Sequence, residues 1–291
     1  MKIAIVTDST CDLAEEFFAE RNNLDFVPLK VQFGEESFYD RVDISSREFF
    51  AKLNVDSRHP STSQPSMGDF LEKYQELSQE FDHIISIHIS GELSGTIESA
   101  QLAARQLEDI GITIVDSKSA TLGLGFLVKL ADKLVAEERE IAEVEEILTK
   151  ARENLEVYFT VSDLSFLQKG GRIGKAQAFL GSILNFHPLL GLSGARGVIE
   201  PIEKVRGRKK MKTKMEEIFQ DKVTDEKIAW LGMMHGDAKK RMLELKDVLI
   251  KVGKAKNLNL STEETIISPV LGCHVGPSVY GFALLTGDFL E

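Results

Sequence analysis

Residues 3–6 form an unbroken apolar run, rich in β-branched side chains and closed by Thr7-Asp8-Ser9-Thr10, the pattern of a buried strand entering a turn. Over 12–21, helical spacing puts Leu13, Phe17 and Phe18 on one face. A second strand is expected over 26–33, and Ser45 or Ser46 caps a short helix carrying Phe49, Phe50 and Leu53. Residues 54–66 have no period; this loop, dense in Ser, Thr and Pro, leads into a helix over 67–77. Strand, turn and helix then recur, with strands at 83–89 and 112–115 and helical patterns over 93–107, 120–136 and 141–155. This alternation suits crossover units and predicts a mostly parallel sheet with flanking helices. Ligands of such sheets sit beyond the carboxyl ends of the strands.

After an apolar strand at 157–161 the alternation changes. A helix near 164–167, a break at Gly170-Gly171, and a helix to about 184 precede strands near Leu189 and over 198–205. A basic helix from Arg208, a strand over 228–234, a helix through Ile250 and a terminal pair of strands follow. Fewer helices between strands predict a mixed α+β sheet. The expected fold is therefore α/β in two domains, residues 1–158 and 159–291, with the loop and helix around 60–78 able to pack with the second. No repeat or low-complexity linker separates them, so tight packing is expected.

Composition changes the picture in one respect. Among 291 residues, 35 Lys and Arg face 46 Asp and Glu, a net charge of −11 that disfavours nucleic acid as a partner. The two cysteines, Cys11 and Cys273, are too few for a disulfide framework and lack metal spacing, which suits a reducing compartment. The first apolar run is too short for a signal peptide, and no run approaches a membrane span. A cytoplasmic protein is expected.

Known phosphate loops fail. In Gly170-Gly171-Arg172-Ile173-Gly174-Lys175-Ala176 the first glycine is misplaced and Ala176 stands where a metal-binding hydroxyl is required. Gly123 and Gly125 lack a third glycine and lie in a helical pattern. No metal site is expected either: His83 and His88 are five apart in a strand and point to opposite faces, while His59, His187 and His235 are isolated. What remains is a set of hydroxyl turns, Thr62-Ser63-Gln64-Pro65-Ser66, Ser90 with Ser94-Gly95-Thr96, and Ser117 with Ser119. Capping of helix starts explains any one of them. Several meeting at one sheet edge make an anion site, and with Lys118 the only cation inside them a carboxylate fits better than a polyphosphate. His274, framed in Gly272-Cys273-His274-Val275-Gly276-Pro277, reads as a donor projecting from a constrained turn. Residues 204–210, Lys-Val-Arg-Gly-Arg-Lys-Lys, are the one basic cluster, either a solvated helix start or a docking patch for an acidic partner.

Together these segments resemble the DegV family, the fatty-acid-binding proteins also called FakB. The resemblance runs through residues 6–13, Thr62-Ser63-Gln64-Pro65-Ser66, Ser94-Gly95-Thr96, Val115-Asp116-Ser117, 167–173, Lys204-Val205-Arg206 and 272–277. It implies two α/β domains with a long-chain fatty acid, such as palmitate, buried between them. It implies a lipid carrier without catalytic residues, metal or cofactor, which presents the acid to a separate ATP-dependent fatty acid kinase for conversion to an acyl-phosphate, a phospholipid precursor. By the same resemblance Thr62, Ser94 and His274 hold the carboxylate, with Ser63, Gly95 and Ser117 as additional head-group contacts and Arg172, Arg206 and Arg208 as kinase-docking residues. One departure from the family stands at Gly91-Glu92, where an inward Glu92 would repel the carboxylate.

A buried sixteen-carbon tail gains on the order of 11 kcal/mol gross, at roughly 0.8 kcal/mol per methylene. The tail then supplies affinity and the carboxylate contacts set orientation. Phe179, Ile183 and Leu184 are candidates for the tail wall, against a role as ordinary core. Two other readings stay open: a serine hydrolase of acyl esters using Ser94 and His274, though Gly91-Glu92-Leu93-Ser94-Gly95 is not the Gly-x-Ser-x-Gly elbow, and a small-molecule phosphate-binding or regulatory protein.

Overall fold

The fold is given by a computed structural model that describes residues 1–180 and 186–290. β1 (Ile3–Asp8) is buried at every position and pairs in parallel with β2 (Leu24–Val27), the signature of a strand covered on both faces. Between them the helix expected over 12–21 shrinks to α1 (Glu15–Ala19), because Asp12 takes the left-handed conformation (φ 54°) that a helix cannot continue through.

The strand expected over 26–33 is two strands in two sheets. Pro28, which has no N–H to give a ladder, separates β2 from β3 (Lys30–Phe33). β3 joins β4 (Glu36–Tyr39) and β5 (Ser61–Ser63) in a small antiparallel sheet, so part of the loop read as aperiodic is a strand. α2 (Ser46–Val55) opens on a capping box of Ser45 and Glu48, and α3 (Met67–Leu77) on one of Ser66 and Asp69. β6 (His83–His88), α4 (Thr96–Ala104) and β7 (Gly111–Asp116) complete a parallel sheet of order β2-β1-β6-β7.

α5 (Thr121–Ala136) is apolar nearly all round, and its surroundings explain why. Its Gly125 lies against the Cys11 carbonyl on one side, while its Leu122 and Phe126 lie against Gly232 on the other. It is the layer between the two large sheets. α6 (Ile141–Glu153) then leads into β8 (Leu155–Thr160), α7 (Ser165–Lys169), β9 (His187–Ser193), β10 (Ile199–Val205) and α8 (Arg208–Lys222). The chain ends with β11 (Ile228–His235), α9 (Lys239–Ala255), β12 (Asn259–Ile266), α10 (Pro269–Val275) and β13 (Tyr280–Thr286).

The second sheet has the order β10-β9-β8-β13-β11-β12, antiparallel except for β11 with β12. The two terminal strands are therefore not a pair: each flanks β11. Residue 158 falls inside β8, which pairs with β13 from Leu155 onward. Of the 60–78 segment, β5 reaches α10 of the second half, whereas Phe70 and Tyr74 of α3 pack with Val6 and Ile84 of the first sheet. One apolar core containing Ile5, Leu127 and Leu285 runs through both halves. Among the described residues no helix is long and apolar enough to cross a membrane, and no cluster of three or more His, Cys, Asp or Glu is arranged to hold a metal.

Candidate functional site

The carboxyl ends of β1, β6 and β7 are hydroxyl-rich, and most of those hydroxyls serve the backbone. Asp8 accepts from the Thr10 N–H and hydroxyl and from the Ile89 N–H. His88 is a satisfied core histidine, with Nδ1 3.1 Å from Asp8 and Nε2 2.6 Å from Ser86 Oγ. Ser90 donates to the Gly197 carbonyl and Ser117 to the Ser119 carbonyl. Ser117 is buried and is not among the residues lining the cavity described next, so its turn explains it.

A cavity of about 270 Å³ lies between the layers. Val157 and Phe159 of β8, Leu192 of β9, Ile199 of β10, Met234 of β11 and Val270 of α10 form much of its apolar wall. Its polar lining is Thr62, Ser63, Gln64, Ser94, Thr121, Arg172 and His274. These groups form a linked rim. Thr62 Oγ1 lies 2.9 Å from His274 Nε2, Gln64 donates to the Gly95 carbonyl and to Ser99 Oγ, and Arg172 donates to the carbonyls of Leu93 and Gly170. Ser94 Oγ is 2.9 Å from Thr96 Oγ1. Gly95 contributes its carbonyl to this rim and does not line the cavity.

His274 does not project from a turn. It lies in the last turn of α10, whose C-cap Gly276 adopts φ 75°, the left-handed conformation that favours glycine. Burial, reinforced by the charges of Arg172 and His59, pushes its pKa down to about 4. The ring is therefore neutral at pH 7, and its buried Nδ1 has no protein partner. A neutral imidazole with a free nitrogen can share a proton with a carboxyl group, and Arg172 adds a cation on the same cavity wall.

Two buried carboxyls hold this helix in place. The Ser268 N–H donates to Asp12 and the Val270 N–H to Asp40, so residues from the first half satisfy backbone donors at the start of α10. Burial pushes Asp12 up to about 6 and Asp40 up to about 7. Cys11 is pushed up to about 12 and Cys273 well above the usual range, again by burial, so neither thiol is reactive at neutral pH.

Several sequence expectations meet the structure differently. Glu92 is exposed and outside the cavity, so no carboxylate opposes an anion there. Phe179 packs against Phe186 rather than the cavity, and Ile183 and Leu184 lie outside the described residues. Arg206 and Arg208 are exposed at the start of α8, away from the cavity lining, whereas Arg172 is part of it. Two lining residues escaped selection from the sequence. Gln64 was visible only as a motif letter, yet it ties β5 to the Ser94 turn. Thr121 holds φ 52°, an outlier for a β-branched residue, at the cavity wall.

Comparison with known proteins agrees with this architecture. A DegV-domain protein of Clostridium acetobutylicum is 35% identical over 284 residues, covering 97% of this chain and 98% of its own length. Among solved structures, one described as "Fatty Acid Binding of a DegV family Protein from Thermus thermophilus" superimposes with a TM-score of 0.92 at 34% identity, covering 99% of this chain and 100% of that one. Another, described as "DegV, a fatty acid binding protein from Bacillus subtilis", superimposes with a TM-score of 0.88 at 28% identity, covering 99% and 100%. A family model described as "Uncharacterised protein, DegV family" matches residues 2–287, and this chain therefore belongs to the DegV family.

Proposed function

We propose that this protein binds one long-chain fatty acid, with the tail in the apolar cavity and the carboxylate held by Thr62, Ser94 and His274. The observation that carries the reading is the pairing of an apolar cavity with a rim in which Thr62 and His274 bond each other and Ser94 and Arg172 share the lining. DegV relatives of known structure described as fatty-acid-binding support it. Ser63 is a further head-group contact; Gly95 acts through its carbonyl on Gln64. A tail transfers at roughly 0.8 kcal/mol per methylene, so chain burial dominates affinity.

The protein acts as a carrier for a separate ATP-dependent kinase that forms an acyl-phosphate. Supporting this, Arg206 is exposed in the basic cluster at 204–210, and Arg172 is exposed at the cavity itself. Together with Arg208 they form the proposed docking surface, and the two units part near residue 158, at β8. The hydrolase alternative lacks an assembled triad. His274 Nε2 contacts Thr62 rather than Ser94, and its Nδ1 meets no carboxylate to orient it. Organic extraction and mass spectrometry of the purified protein test the reading. Near-stoichiometric fatty acid, released on denaturation, is the expected result; a protein that is empty and takes up no added fatty acid overturns it.

A further inference from the structure

Helices α8 and α9 break a rule of local electrostatics. The first turn of a helix carries the positive end of the macrodipole and favours acidic side chains. α8 instead opens with Arg208, Lys209 and Lys210, and α9 with Lys239, Lys240 and Arg241. Neither has an acidic residue in its first turn, and neither has a side chain capping its N-terminus. Among the described residues the acidic groups near these starts are Asp237, just before α9, and Glu244, one turn into it, and neither forms a salt bridge there, so an external anion is a natural complement.

Topology brings the two helix starts together. β10 is antiparallel to β9, which is antiparallel to β8; β11 is related to β8 through β13 in the same way. β8, β10 and β11 therefore run in one direction, and α8 and α9 both begin at the edge where β8 ends. There Arg208, Arg241 and His187 line a narrow cleft with Thr160, Ser278 and Tyr280. Phe159 lines the large cavity and Thr160, the next residue of β8, lines this cleft, so the two sites lie on opposite faces of one sheet.

One buried hydroxyl in the cleft has no partner. Thr160 is 3% exposed and its Oγ1 makes no hydrogen bond; Tyr280, 7% exposed as a residue, lines the cleft with it. Among the described residues, Arg208 and Arg241 take part in no salt bridge, although Glu244 lies near Tyr280. The enclosed volume, about 10 Å³, admits one oxygen atom and excludes a ring or an acyl chain. We infer that this cleft is a second binding site, for a terminal phosphoryl group, with one oxygen directed at Tyr280 and the others held between Arg208 and Arg241. Two guanidinium groups from separate helices and two helix starts match a tetrahedral dianion better than a planar carboxylate. The inference stands apart from the fatty-acid site, since it uses none of the residues lining the large cavity, although it shares Arg208 with the proposed kinase-docking surface.

The test is calorimetric titration of the full-length protein, as purified, with inorganic phosphate and separately with glycerol 3-phosphate, ionic strength being held constant with chloride. Saturable one-to-one binding of either is expected, weakened at least tenfold by Arg208→Gln and by Arg241→Gln, and less by Tyr280→Phe. Lys209→Gln, which removes the same charge from the first turn of α8 outside the cleft, should stay within about threefold of the parent. Preference for the ester points to a phosphomonoester as the natural ligand, and preference for phosphate to the free ion; both support the site. No saturable binding of either, or equal weakening by Lys209→Gln, overturns it, as does capture of only an acidic peptide. Unchanged fatty-acid content in all variants separates this result from any failure of the lipid reading.

Discussion

A Cβ built on Gly170 would stand 2.2 Å from Nδ1 of His274, so the end of α7 approaches α10 more closely than any side chain permits. Gly170 itself has ordinary right-handed helical angles and needs no glycine for its backbone. Gly170→Ala therefore acts on the imidazole rather than on the fold. The ring must move, and its 2.9 Å contact with Thr62 goes with it. Fatty-acid retention is expected to fall about tenfold, with the melting temperature within a few degrees of the parent, as read by native mass spectrometry and calorimetry. Full retention in a well-folded variant would show that His274 does not hold the carboxylate.

On the proposed reading, Ser94→Ala and Thr62→Ala each remove one charge-assisted hydrogen bond to the carboxylate, worth about 1.5 to 3 kcal/mol. Fatty-acid affinity should drop by roughly one to two orders of magnitude in each, measured by displacement of a fluorescent acid. Ser94 should also resist labelling by a fluorophosphonate, because its hydroxyl contacts Thr96 rather than a base. Covalent labelling at Ser94 would revive the hydrolase reading.

Stability should depend on pH through opposing groups, Asp12 and Asp40, both raised by burial, against His274, lowered by it. Asp40 titrates near 7 in the folded state and near 3.8 when exposed, so its contribution is complete below about pH 4 and is lost as pH rises toward 7. His274 titrates near 4 when folded and near 6.5 when exposed, so its contribution is present above about pH 6.5 and is lost as pH falls toward 4. Asp40→Asn removes the Asp40 contribution and leaves those of Asp12 and His274. Its melting temperature should climb more steeply than the parent's between pH 4 and 7, and parallel profiles would show that Asp40 does not titrate in that range.

Arg206→Glu should impair kinase-coupled acyl-phosphate formation more than fatty-acid binding, because Arg206 is exposed and outside the cavity lining. Measuring both in the same preparation decides the matter: equal loss of the two would remove Arg206 from the docking surface.

Much of this protein was legible in its sequence, for a reason visible in particular residues. α3 covers the residues its periodicity predicted because Ser66 and Asp69 form a local capping box at its start. The buried parallel strands announce themselves as β-branched runs, since both of their faces are covered. Thr62, Ser94 and His274 were found as hydroxyl turns and a glycine-framed histidine, and by resemblance to the DegV family. Such signals are local, carried within a few positions along the chain.

What the tertiary structure alone decided is non-local. That β2 and β3 part at Pro28 into different sheets depends on which partners each strand finds, and those partners can be distant in sequence, as with Gln32 against Ser61. That Asp12 and Asp40 cap the start of α10 joins positions more than two hundred residues apart, and no periodicity records such a contact. The cavity wall is the same kind of fact: Val157, Leu192, Ile199 and Met234 look like any strand residues until four strands bring them to one face. The sequence determined which segments bury apolar surface; the closure of the chain decided which of those surfaces meet each other and which are left to face a ligand.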